Sequence, residues 1–359
     1  MLGAVPESGR LSGQPDGNRA AHPKVGRFAP GFVTNWLAAL PPKGESYLNA
    51  KQLGKRLLQI VIVALGITFL TFLITYLAPG DPVRTMFAAT GVVPSEELVQ
   101  ETREEMGLNR PVLVQYFDWL TGCLRGDFGT SYSFHKPVSA LLLARLWPTL
   151  KLSLMSMVLM LLVAVPIGMA QATHKNSPID YALRGITFFG VSMPNFWVGM
   201  LLMLFFCVRL KWLPVVCSGG DFKSLLLPAV TLAFAMSAKY TRQVRTAIVE
   251  ELSQDYVIGA RARGVPEWKI LWCNVFPNSL LPLITMLGLS LCSLLGGTAV
   301  VEVIFTYPGL GNLAVSAITS YDYPLIQGYV LWISLIYMLV NLAVDISYSY
   351  VDPRMREKR

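Results

Sequence analysis

Residues able to bind metals or attack substrates are thinly spread along this sequence. His22, His135 and His174 lie far apart, and Cys123, Cys207, Cys217, Cys273 and Cys292 show no Cys-x-x-Cys spacing. They read as scattered side chains and small apolar residues, so neither a metal site nor a disulfide framework is expected. A Gly-x-x-x-x-Gly-Lys-[Ser/Thr] phosphate loop is missing, which excludes ATP hydrolysis by that chemistry. No apolar segment holds a convergent nucleophile, base or metal set, so no catalytic residue and no cofactor is assigned. What remains is the chemistry of contact, and it is concentrated in two places. One is Asp255-Tyr256-Val257-Ile258-Gly259-Ala260-Arg261-Ala262-Arg263-Gly264, basic and rich in small residues. The other is Ser192-Met193-Pro194-Asn195-Phe196-Trp197, which sets a hydroxyl, a proline and an amide inside an apolar run.

The elements that must position these residues belong to a membrane protein. Of 359 residues, 53% are hydrophobic and 14% charged, whereas soluble domains carry about 25% charged residues. A bilayer core of about 30 Å needs roughly 20 apolar residues in a helix. Leu57 to Gly80, Leu152 to Thr173, Gly185 to Val208 and Tyr323 to Val344 meet that length. Ile270 to Val301 exceeds it, so part of that run must be interfacial or loop. Ser224 to Ala238 reaches it only with flanking residues. The expectation is an all-α protein of six transmembrane helices, residues 51–356, after a disordered cytoplasmic leader, residues 1–50. The leader is polar and has no secretory-signal core.

Charge sets the orientation. The net charge of +8 in so apolar a chain points to cytoplasmic loops rather than to nucleic acid. Lys51, Lys55 and Arg56 precede the first span, and Arg354, Arg356, Lys358 and Arg359 follow the last. Both termini are therefore expected in the cytoplasm. So is the connection of residues 239–269, with Lys239, Arg242, Arg245, Arg261, Arg263 and Lys269. The first three are spaced like a solvated or phospholipid-facing helix edge. Residues 81–147 form a long outside loop with turn punctuation and a helix start at Ser95-Glu96-Glu97, where serine caps an acidic first turn. That loop reads as a small ordered extracytoplasmic domain.

Within this frame the two contact sites acquire roles. Asp255 is placed to cap a short helix running to Ala262; Gly264 ends it and Pro266 forbids its continuation. Gly259, Ala260 and Ala262 would let another surface approach closely, with Arg261 and Arg263 as charged handles. The plainer reading is a connector, which would not need a punctuated helix of small residues. Ser192, Pro194 and Asn195 lie at membrane depth, where polar groups usually face the bundle interior. Lining a translocation path and gluing helices together are both open to them. Pro166, Pro228, Pro277 and Pro282 fit ordinary packing of spanning helices.

The run Tyr256 to Gly264, followed by Asn274-Val275-Phe276-Pro277, resembles the cytoplasmic loop motif of permease subunits of bacterial ATP-binding-cassette (ABC) importers. In the family form a Glu-Ala-Ala triplet precedes a glycine and an Ile-x-Leu-Pro ending. On that spacing Gly264 and Pro277 match, Gly259 and Ala260 fall on the alanines, and Ile258 stands in place of the glutamate. The variant Ala-Arg-Ala-Arg-Gly is that of the peptide and nickel branch. Further stretches are similar to that branch: Leu108-Asn109-Arg110-Pro111, Gln115-Tyr116, Trp119-Leu120, Gly126 to Ser131, Pro137-Val138, Gly190 to Trp197 and Leu227-Pro228-Ala229. Towards the end come Glu302 to Phe305, Tyr307 to Gly311, Asp322-Tyr323-Pro324 and Asp352-Pro353-Arg354.

The resemblance implies a type I ABC importer permease fold in the bacterial inner membrane. It implies a heterodimer with a second, homologous permease, two cytoplasmic ABC ATPases on the short helices, and an extracytoplasmic substrate-binding protein. It places ATPase coupling at Asp255, Tyr256, Gly259, Ala260, Arg261, Ala262, Arg263 and Gly264. The cargo implied is peptides, nickel or nickel chelates, moved by alternating access. The rival reading, a channel or ion-coupled carrier, would want ionisable groups within the spans or an inverted repeat. Lys151, Glu302 and Asp345 all fall at span ends.

Overall fold

The computed structural model describes residues 50–78, 81–89, 91, 93–217 and 221–351. The leader expected over residues 1–50 lies outside the described residues but for Ala50, and so do the four basic C-terminal residues. Among the described residues the regular structure is helical, with one isolated bridge between Thr130 and Pro137.

Helix α1, Ala50–Leu77, is the first apolar run. Three short helices follow: α2 Pro82–Ala89, α3 Glu96–Glu105 and α4 Val112–Leu124. Ser95 caps α3 as its sequence requires, accepting from the Leu98 N–H at 3.3 Å. Tyr116 of α4 packs on Phe69 and Phe72 of α1, and its hydroxyl lies 3.0 Å from Thr68 Oγ1. Gln115 holds the preceding turn through the carbonyls of Leu108 and Arg110. These are the structural tasks of the Gln115-Tyr116 pair.

Helix α5, Val138–Thr173, is 36 residues long. Its first turns fall inside the loop expected to run to Trp147, because Pro137 fixes the backbone for helix entry and Val138 and Leu142 are fully buried. After α5 come α6, Pro178–Ser192, and α7, Asn195–Met203, continued by a π turn over Leu204–Arg209. The chain bends by 94° between them. The proline inside the apolar run Gly185 to Val208 thus marks a full break between two helices. Pro194 has no N–H to continue α6 and instead sits at the N-cap of α7.

Helix α8 runs unbroken from Phe222 to Leu252. It packs more extensively on α5 than any other helix pair does. Then follow α9, Asp255–Ala262, and α10, Glu267–Ile270, with a π turn over Leu271–Val275 leading into α11, Phe276–Gly297. The path bends by 53° near Pro282. The apolar run to Val301 is longer than a span because it also contains the start of a separate helix, α12, Ala299–Ile304. Helix α13, Leu310–Thr319, and α14, Tyr323–Val351, complete the chain. Among the described residues four helices are long and apolar enough to cross a membrane, or up to six if each bent pair is one span.

All five cysteines are free. Burial pushes the Cys123 thiol up to about 12, with Asp127 adding to the effect. Burial pushes Cys217 up to about 11, helped by neighbouring Cys207. These two thiols stay protonated at neutral pH and act as small apolar groups.

Candidate functional site

Helix α9 has the bounds that its sequence dictates, but Asp255 is not its cap. Gln254 occupies the N-cap without a side-chain hydrogen bond, and Asp255 is the first helical residue. There its carboxylate serves the positive end of the helix dipole instead. The far end closes as a Schellman motif: Val265 N–H reaches the Ala260 carbonyl at 3.2 Å and Gly264 N–H reaches Arg261 at 2.9 Å. Gly264 has φ of +75°, a conformation open to glycine and costly for a side chain.

The small residues of α9 serve two surfaces. Val257 and Ala260, 0% and 2% exposed, belong to one core cluster with Met169 and Ala172 of α5 and with Val244 and Ile248 of α8. The close approach at Ala260 is therefore to the chain's own bundle, and an outward fit at that residue is corrected. Gly259 and Tyr256 are half-buried, and Tyr256 donates to Glu251 at 2.8 Å, tying α9 to the end of α8. Outward lie Asp255, Ile258, Arg261, Ala262, Arg263 and Gly264, with Ile258 58% exposed. Arg261 makes a two-pronged pair with Glu267, at 2.7 and 3.2 Å, and this partner pushes the guanidinium pKa further up. Trp268 and Trp272, a little further along the chain, are also exposed.

The second site lies at the helix break. Ser192, Pro194 and Asn195 are exposed on this chain, as are Phe196 and Trp197. They therefore do not pack inside this chain's own helix bundle. The Ser192 hydroxyl is used locally, donating to the Phe188 carbonyl at 3.0 Å. The break itself is seated by Val198 and Gly199, which are buried.

Three buried carboxylates, each with donors from distant sequence, escaped the sequence reading. Asp180, 0% exposed, accepts from Arg245 at 3.1 and 3.0 Å and from Arg184 Nε at 3.0 Å, and also pairs with Arg184 through its NH2 group. Arg245 is thus a partner of α6 and not a lipid-facing edge. Glu302 is also fully buried, and the Thr149 and Thr298 hydroxyls and the Asn312 N–H each donate to it at 2.9 Å. A Cβ on Gly309 would come within 2.4 Å of that carboxyl group, so the Tyr307-Pro308-Gly309 turn requires glycine there. Asp322 accepts from the Ser131 hydroxyl and from the N–H groups of Ser133 at 3.0 Å and Leu325 at 3.3 Å. The signal available was the presence of Glu302 and Asp322 within recognisable motifs; Asp180 had only its place three residues after Ser177, which caps α6.

The chain matches known proteins over most of its length. Residues 164–357 match the family "Binding-protein-dependent transport system inner membrane component", and residues 50–155 match its companion, "Binding-prot-dependent transport system membrane comp, N-term". The chain belongs to this family. It is 39% identical over 305 residues to the glutathione transport system permease protein GsiC of Salmonella choleraesuis, covering 85% of this chain and 98% of that protein. The oligopeptide transport system permease protein AppB of Bacillus subtilis is 40% identical over 315 residues, 84% of this chain and 98% of its own. The probable D,D-dipeptide transport system permease protein DdpB of Escherichia coli is 35% identical over 324 residues, covering 82% and 94%. An inward-facing structure of the MetNI methionine ABC transporter superposes with a TM-score of 0.52 at 18% identity. It covers 59% of this chain and 96% of that one, and it supports the shared fold. The chain is accordingly a membrane permease component of the ABC importer type.

Proposed function

We propose that this chain is one of two homologous permeases that together enclose the translocation path of an ATP-driven peptide importer in a bacterial inner membrane. Each bent helix pair counts as one span, giving six, with both termini cytoplasmic. Residues 81–147 form the extracytoplasmic region on which a substrate-binding protein docks. Two ABC ATPases press on the short helices, and their closure and separation swing the spans between inward-open and outward-open states. Relatives named for glutathione, dipeptide and oligopeptide transport support peptides as cargo, and none of these names carries nickel. Ser192, Pro194 and Asn195, exposed on the single chain, suit a path that a second permease closes.

The observation that carries this reading is the two-sidedness of α9. Val257 and Ala260 root it in the core of α5 and α8, while Ile258 and Ala262 are exposed to a partner, with Arg261 exposed beside them and paired with Glu267. The apolar Ile258 at the family's glutamate position makes the docking less polar. The test is Ala262→Trp, a change on the exposed side that leaves the core untouched. Co-purification of the ATPase subunits with the permease is expected to fall at least tenfold, equivalent to about 1.4 kcal/mol. Peptide uptake into vesicles should fall with it. Unchanged docking and uptake would remove α9 from the interface.

A further inference from the structure

Asp180 joins two packed helices through an ion pair with Arg245. Its helix, α6, ends at Ser192, where the chain turns by 94° into α7. Its partner Arg245 stands on α8, the unbroken helix whose last residue, Leu252, is separated from α9 by Ser253 and Gln254. Both oxygens of Asp180 are engaged by Arg245, and the Asn176 N–H donates to Oδ2 at 3.0 Å. Within α6, Arg184 satisfies the same carboxylate from one turn further on, and the Tyr181 ring lies 5.1 Å under its guanidinium. Higher up, α6 and α8 approach so closely that a Cβ on Gly190 would lie 3.2 Å from Ala238 Cβ.

We infer that Asp180 and Arg245 are positioning residues that make α6 move with α8, so that a push on α9 reaches the helix break at Met193 and Pro194. This rests on the function proposed above. Arg245 lies seven residues before the end of α8, about 10 Å along the axis. Asp180 lies twelve residues before the end of α6, about 18 Å. A displacement of α9 is carried to α8 by the shared core and the Tyr256–Glu251 bond. A doubly bonded ion pair between a guanidinium and a carboxylate resists both sliding and rotation of one helix on the other. The far end of α6 then shifts with α8, and Ser192, Pro194 and Asn195 shift with it. An apolar interface alone would let α6 lag behind.

The variant of choice is Arg245→Met, because Arg184 still satisfies Asp180 when Arg245 is gone. The full importer, with its second permease, ATPases and binding protein, is reconstituted in vesicles, and peptide uptake and ATP hydrolysis are measured together. ATPase docking and hydrolysis should stay within twofold of wild type while uptake falls at least tenfold, raising ATP consumed per peptide moved. Arg245→Lys should recover part of the uptake. A parallel fall of hydrolysis and uptake, or no change in either, overturns the inference. Should Arg245→Met fail to reach the membrane, Gly190→Cys with Ala238→Cys provides a second measurement. Linking α6 to α8 must leave uptake intact if they move together, and loss of uptake on oxidation overturns the inference. Failure of the parent reading would show separately, as wild-type chain that binds no ATPase.

Discussion

Glu302→Ala is expected to leave little folded protein. The substitution strips the acceptor from the Thr149 and Thr298 hydroxyls and the Asn312 N–H at once, in a place where the carboxylate is 0% exposed. Each buried donor left without a partner costs about 1–3 kcal/mol, and whole domains are stable by only about 5–15 kcal/mol. The damage would spread, because Thr149 also accepts from the Leu310 N–H at 2.7 Å, and Tyr307 donates to the Pro148 carbonyl at 3.0 Å. One carboxylate thus holds α5, α12 and the start of α13 in register. Glu302→Gln keeps one oxygen acceptor and should lose less. Thermal unfolding in detergent, followed by size-exclusion chromatography, orders the three proteins. A Glu302→Ala chain that melts within about 2 °C of wild type would contradict this account.

The second large effect is expected outside the long helices. Asp322→Ala removes the anchor of the segment from Ser131 to Phe134, whose Ser131 hydroxyl donates to Asp322 while accepting from the Phe134 N–H at 3.1 Å. The segment is a tight loop closed by Val138 N–H to the Gly129 carbonyl at 3.0 Å, with His135 at φ of 49°. Such backbone persists only when surrounding contacts impose it. Tyr132 sits beside the same carboxylate, and burial first, then the Asp322 charge, pushes its phenol pKa up. Without Asp322 the loop should open, and chymotrypsin should cut after Tyr132 or Phe134 at least tenfold faster. The helices of the bundle should keep their protection. Equal cleavage rates in the two proteins would show that the loop is held by its apolar neighbours alone.

Local rules made much of this molecule readable. The bounds of α9, the cap of α3 by Ser95 and the apolar stretches of α1 and α14 depend on neighbours within one or two helical turns. What was lost depends on neighbours far away. Glu302 and Thr149 are 153 residues apart, and Asp180 and Arg245 are 65 apart. Gln254, and not Asp255, caps α9, because the entry angle of the chain decides which residue has the extended backbone. Over α8 the apolar run Ser224 to Ala238 is shorter than the helix, which flanking residues extend to spanning length. Only 11% of the apolar window of α1 is buried, against 50% for α8. A helix wrapped in protein need not be greasy all round, so Thr231, Ser237 and Thr241 sit buried in α8 and break up its apolar run. At the second contact site, Pro194 marks a distortion, but its size of 94° is set by the tertiary packing of the two helices and not by local sequence.

The free thiols have a practical corollary. Four of them are wholly or partly enclosed, whereas Cys273 is exposed on the π turn just beyond α10. Since enclosure hinders attack and thiolate supply governs rate, a maleimide dye at neutral pH should label the unmodified chain chiefly at that position. The label would sit next to Trp272 in sequence, a native quencher, and a few residues past the face that α9 turns outward. Arrival and departure of a partner there could then be followed by emission intensity, without engineering the chain at all.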